Sequence, residues 1–161
     1  MRWEDRPVEV ARLLNPAFCG ELLRRAILKY EARTGRGLPY SLAFLVLPIV
    51  LHRETRTKLP RLVRNLHPWL QSHQELKVDF GIRARNLVVY TKEALAFLLI
   101  AEKVRFANDG GLVINPDSAS ELLPSEDEEI RDAYEKAETL GRVFSRAGTP
   151  ATIFSMWGVK P

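Results

Sequence analysis

His52, His67 and His73 fall close together in the sequence, and clustered imidazoles are the first residues to weigh for metal chemistry. Zinc sites take Cys and His in tight local pairs. This chain has no C-x-x-C or H-x-x-x-H pair, and Pro68 stands between two of the three histidines, so no metal site is expected. Cys19, the only cysteine, lies near the start of a helix, where the positive end of the backbone dipole lowers a thiol pKa. A small side chain packed into the core is the stronger expectation. Asn108-Asp109-Gly110-Gly111 resembles a phosphate loop in its glycines alone, since the Lys and Ser or Thr of a P-loop are missing. There is no G-x-S-x-G, H-E-x-x-H or paired-carboxylate pattern either. The expectation is a chain that is not an enzyme and takes no cofactor.

What remains is charge. Arg53, Arg56, Lys58, Arg61 and Arg64 head a basic stretch that runs on to Lys92, opposed only by Glu54, Glu75 and Asp79. From Asp117 to Glu138 the balance reverses, with Glu121, Glu126, Asp127, Glu128, Glu129, Asp132 and Glu135 against Arg131 and Lys136. Such asymmetry marks either a nucleic-acid face beside an acidic one, or two oppositely charged faces that partly neutralise each other. The second is the plainer reading.

The elements that must carry these residues are mostly helices. Asn15 supplies an N-cap and Pro16 a first helical residue whose missing N–H costs nothing. Phe18, Leu22, Leu23, Ala26, Ile27 and Tyr30 follow at helical spacing until Gly35 or Gly37. Leu42 to His52 reads as a central helix that Pro48 kinks or restarts. Pro60 and Pro68 cut the next stretch into short pieces. Leu76, Phe80, Ala84 and Leu87 suggest one further helix, and Thr91 caps an almost wholly apolar segment through Lys103. Val104 to Ala107 and Leu112 to Ile114 then flank Asn108 to Gly111 as a β-hairpin. Asn115 to Pro124 reads as a flexible loop. Ser125 with Glu128 forms a capping box for a helix whose face runs from Ile130 through Tyr134, Leu140 and Phe144, with Arg142 and Arg146 in its last turn.

The final residues, Thr152 to Pro161, include Phe154, Met156 and Trp157, where chain ends are usually polar. Leaving such side chains in water forfeits roughly 1.5–3 kcal/mol each. Ile153 to Val159 is therefore expected to close the fold as a strand, with Phe154 and Trp157 against the helix bearing Tyr134, Leu140 and Phe144, and the domain to end with the chain.

Helices followed by a hairpin suggest a mainly α, winged helix-turn-helix-like single domain spanning 1–161. Its winged portion is about 40–115, with added N- and C-terminal helices and the capping helix and closing strand in 125–161. In that motif the helix before the wing lies in the major groove and presents Arg, Lys, Asn or Gln. Here it offers Lys92, Glu93, Glu102 and Lys103 around an apolar centre, so it is expected to be buried, and a sequence-specific repressor is disfavoured. Any DNA contact would fall to Arg53, Arg56, Lys58, Arg61 and Arg64, through phosphates and without base readout.

Composition is that of a globular protein: 46% hydrophobic and 27% charged residues leave no case for a disordered or fibrous chain. A lone cysteine fits a reducing compartment, and the charged start at Met1-Arg2-Trp3-Glu4-Asp5 does not read as a secretory signal. The apolar run from Leu42 to Leu51 is too short to span a bilayer. A soluble cytoplasmic protein is expected.

Several blocks resemble one bacterial family: Arg6-Pro7-Val8-Glu9-Val10-Ala11, Leu14-Asn15-Pro16-Ala17-Phe18-Cys19-Gly20, Leu45 to His52, Thr55-Arg56 with Leu59-Pro60, Leu140-Gly141-Arg142 and Trp157 to Pro161. They look like the small middle components of three-component ABC systems, and the likeness covers the chain, most weakly over Asn115 to Asp132. It implies a non-enzymatic accessory subunit between an SMC-like ABC ATPase and an effector component, acting against phage or plasmids. It also implies a fold-level analogy with winged-helix accessory subunits of SMC complexes. The alternative is a winged-helix DNA-binding protein, either a regulator or a non-specific clamp.

Overall fold

A computed structural model describes residues 3–118 and 122–161. Trp3–Asp5 form a 3-10 turn, followed by helices α1 (Val8–Leu13), α2 (Pro16–Thr34), α3 (Ala43–Val50), α4 (Arg53–Lys58), α5 (Leu66–Gln71), α6 (Phe80–Asn86) and α7 (Val88–Ile100). Strands β1 (Val104–Phe106) and β2 (Leu112–Ile114) form an antiparallel hairpin before α8 (Glu128–Phe144) and α9 (Pro150–Met156). The chain is mainly helical with one small sheet, as its patterning predicts. Among the described residues no helix is long and apolar enough to cross a membrane.

The architecture is organised around α2. Asn15 Oδ1 accepts the Phe18 N–H at 2.8 Å, and Gly35 closes the helix at φ 67°. Every residue from Cys19 to Ile27 is buried, because α7, α8, α3 and the hairpin all lie against this one helix. The α2–α8 crossing is backbone on backbone: a Cβ on Gly141 would sit 2.3 Å from the Ala26 carbonyl oxygen. Only glycine permits that approach. α3 is buried from Leu45 to Val50 and keeps Pro48 inside it; the chain bends at Leu51 and His52 and restarts as α4, with His52 as its N-cap. In the hairpin, Arg105 pairs with Val113; Asp109 Oδ1 accepts the Gly111 N–H at 2.9 Å, and Gly110 takes φ 83°.

Four local expectations are corrected. The single helix through Leu76 and Leu87 is a 3-10 turn, Gln74–Lys77, and then α6, separated where Asp79 takes a left-handed φ of 57°. Thr91 caps nothing; α7 begins three residues earlier, places Thr91 in its buried side and stops at Ile100 rather than Lys103. The α8 cap is Asp127, whose Oδ1 accepts the Ile130 N–H at 3.0 Å, while Ser125 Oγ only receives the Asp127 N–H; Arg146 lies past the helix end. Ile153 to Val159 is no strand. Thr149 caps α9, Pro150 opens it, and Gly158 at φ 72° ends it with Gly158 N–H to Ser155 O and Val159 N–H to Phe154 O. These two bonds are a Schellman closure.

Trp157 is fully buried, but its ring partners are Phe80, stacked at 4.6 Å, and Trp69, at 6.4 Å, not the aromatics of α8. Tyr134 pairs with Phe18 of α2 instead. Of the expected loop from Asn115 to Pro124, residues 119–121 lie outside the described residues; on one side the Asn115 N–H bonds Lys103 O, and on the other Leu123 is tied to α2.

Candidate functional site

The three histidines lie in separate local settings. His52 Nδ1 accepts the Thr55 N–H at the start of α4 and lies 2.7 Å from Thr55 Oγ1. Burial, then the charge of Arg83, holds its pKa below the ordinary value. His73 stacks on Trp69 and bonds that residue's carbonyl oxygen, and His67 is exposed. Among the described residues no group of His, Cys, Asp or Glu is placed to hold a metal ion. Cys19 is fully buried in α2, and that burial pushes its thiol up to about 12, far from a reactive thiolate.

The basic residues meet the acidic ones. Arg56 is only 5% exposed: Nη2 donates to Glu129 at 2.7 Å, Nε to Asp132 at 3.1 Å and Nη1 to the Val50 carbonyl at 2.9 Å. Lys58 lies between Glu54 and Glu75, and Arg61 pairs with Glu135 at 3.0 Å. Arg53 and Arg64 are exposed and make no ion pair among the described residues. A cleft of about 740 Å³ between α4 and the start of α8 is thus lined by cations and carboxylates together. It offers a polyanion little net charge.

A second network fixes how α8 lies on α2. Glu21 is buried between Arg24 at 3.1 Å and Arg25 at 2.9 Å; Arg25 also reaches Glu138 at 2.9 Å, donates to Leu123 O and lies 4.1 Å over the Tyr134 ring. Each charge has a partner, as burial requires. Its consequence is alignment of α8 on α2.

Among the described residues two apolar surfaces bear on docking, and neither was legible beforehand. Contrary to expectation, α7 is not buried all round: Thr91, Ala94, Leu95 and Leu98 face the core, while Val89 and Ile100 are 49% and 84% exposed and Phe97 is also open. Residues 89, 93, 96 or 97 and 100 recur on one helical face. Glu93, on that same face, holds the N-terminal segment through Arg6. The second surface is a groove of about 670 Å³, lined by Tyr40, Phe44, Ala84, Val88, Val159 and Pro161. Tyr40 meets Phe44 edge to face at 5.2 Å and Phe106 at 6.0 Å.

Fold and surface together define a small, mainly helical protein in which facing charges on α2, α4 and α8 pair within the chain and apolar faces are left open. The family model of the ABC-three component (ABC-3C) system Middle Component 3 matches residues 3–161, and the chain belongs to that family. The match includes the stretch from Asn115 to Asp132. No curated protein and no solved structure matched the chain.

Proposed function

We propose that this middle component is a non-enzymatic docking subunit that links the SMC-like ABC ATPase of its system to the effector component, in the cytoplasm, as part of defence against phage or plasmids. The observation that carries the proposal is the outer face of α7, where Val89, Phe97 and Ile100 stay exposed on one helix side. Large apolar side chains left exposed on one side of a helix in a folded protein fit a partner. The order α6, α7, β1, β2 fits a winged helix used for protein contact. Its wing-proximal helix offers apolar side chains where a DNA reader needs Arg or Asn. The DNA alternative also loses Arg56, which is turned inward onto Glu129 and Asp132.

Co-expression with the ABC ATPase of the same system tests this. Wild-type chain is expected to co-purify with it, and Val89→Glu with Ile100→Glu to lose the complex while melting within a few degrees of wild type. A complex that survives the double variant overturns α7 as the docking face.

A further inference from the structure

We infer that the groove between the 3-10 turn Tyr40–Leu42, the α6–α7 junction and the segment after α9 receives a partner segment carrying large apolar side chains flanked by Asp or Glu. The inference deepens the docking role proposed above by giving the partner's chemistry. Its volume, about 670 Å³, lies in the range of pockets that bind specific ligands, roughly 300–1,000 Å³. Its walls are pre-formed. Phe44 packs on the core, and Val159 is held by its bond to Phe154 O and lies against Gly81, where an added Cβ would be 3.4 Å away.

Charge selects the occupant. Arg85 and Lys160 line this groove, both exposed, and neither makes an ion pair among the described residues; no Asp or Glu side chain lines it. Arg25, Arg56, Lys58 and Arg61 each meet a carboxylate of the chain itself, whereas Arg85 and Lys160, like Arg53 and Arg64, meet none among the described residues. The groove therefore combines apolar walls with two exposed cations that no Asp or Glu side chain meets among the described residues. A nucleic-acid strand asks for a longer cationic track than two residues provide. An acidic, apolar peptide matches both features: burial of its apolar side chains supplies affinity, and the two cations set its orientation.

The test uses dye-labelled, overlapping synthetic 20-residue peptides that cover the ABC ATPase and the effector component of the system. They are titrated against the full chain by fluorescence anisotropy, beside a 20-nucleotide oligo-dT. The expected result is binding by peptides that combine large apolar residues with Asp or Glu. Arg85→Glu with Lys160→Glu should weaken that binding tenfold or more, and exchanging the peptide's acids for Lys should restore it to the double variant. Both sites are exposed, so the variant is expected to melt like wild type; Val88→Glu gives an independent block from the groove wall. Absence of any bound peptide, binding unchanged in the double variant, or oligo-dT binding that the variant abolishes each overturns the inference. If the intact ATPase and the intact effector component each still co-purify with the double variant, the docking role stands and the groove is sunk. A chain that binds acidic peptide here yet captures neither intact subunit sinks the docking role and keeps the groove.

Discussion

Truncation of Trp157 measures how far the C-terminal helix belongs to the core. Trp157 is 1% exposed and stacks on Phe80 at 4.6 Å, with ring planes 24° apart. Replacing a buried Trp by Ala costs about 3–5 kcal/mol, a large share of a stability of roughly 5–15 kcal/mol. For a domain of this size each kcal/mol moves Tm by about 2–4 °C, so Trp157→Ala should melt about 6–20 °C lower. Trp157→Phe separates ring packing from hydrogen bonding. The indole Nε1 is buried without a hydrogen-bond partner among the described residues, so Phe loses volume but no bond, and it removes an orphaned donor. Its cost should stay under about 2 kcal/mol. Thermal and urea unfolding followed by far-UV circular dichroism read both variants. A Phe variant as damaged as the Ala variant would show that Nε1 carries a bond. An Ala variant as stable as wild type would show that α9 is not part of the core.

Two further perturbations probe other links. Gly141→Ala places a Cβ 2.3 Å from the Ala26 carbonyl oxygen, so α2 and α8 must move apart; the urea midpoint should fall by an amount equivalent to about 1–3 kcal/mol or more, and an unchanged midpoint refutes the close crossing. The fold favours neutral His52, whose pKa burial depresses below its ordinary 6.5. Stability from this group is therefore complete above about pH 6.5 and is lost as pH falls through the depressed value. His52→Asn keeps a capping side chain on α4 and should remove that part of the pH dependence; a variant with the wild-type slope rules His52 out as its source.

The termini of α2 were legible because Asn15, Pro16 and Gly35 act within a few residues of where they stand. Thr149, Pro150 and Gly158 spell the same signature around α9, yet the β-branched and aromatic content of 153–159 suggested a strand. A strand needs a free edge to pair with, whereas this helix is closed at both ends by its own residues. At α8 both Ser125 and Asp127 could cap, and Asp127 does; α7 follows directly on Leu87 with no side-chain cap, so its start left no local signal. Complementary charge was visible, but not that Arg56 is the cation turned inward, since its acids lie 73 and 76 positions away. The open face of α7 was hidden for a different reason. A helix apolar all round looks buried in sequence, but the fold covers only one of its sides.

The central position of α2 has a consequence for synthesis of the chain. Arg25 and its partner Glu138 are 113 residues apart. At translation rates of about 5–20 residues per second, roughly 6–20 s separate the emergence of α2 from that of the helix that covers it. Throughout that interval Leu22, Leu23, Ala26 and Ile27 wait without α8 on a growing chain, and long-range closure of this kind is slow. Glu21, Arg24 and Arg25 stand among those apolar residues; their pairing with one another is local to α2, and only the Arg25–Glu138 pair must wait for α8.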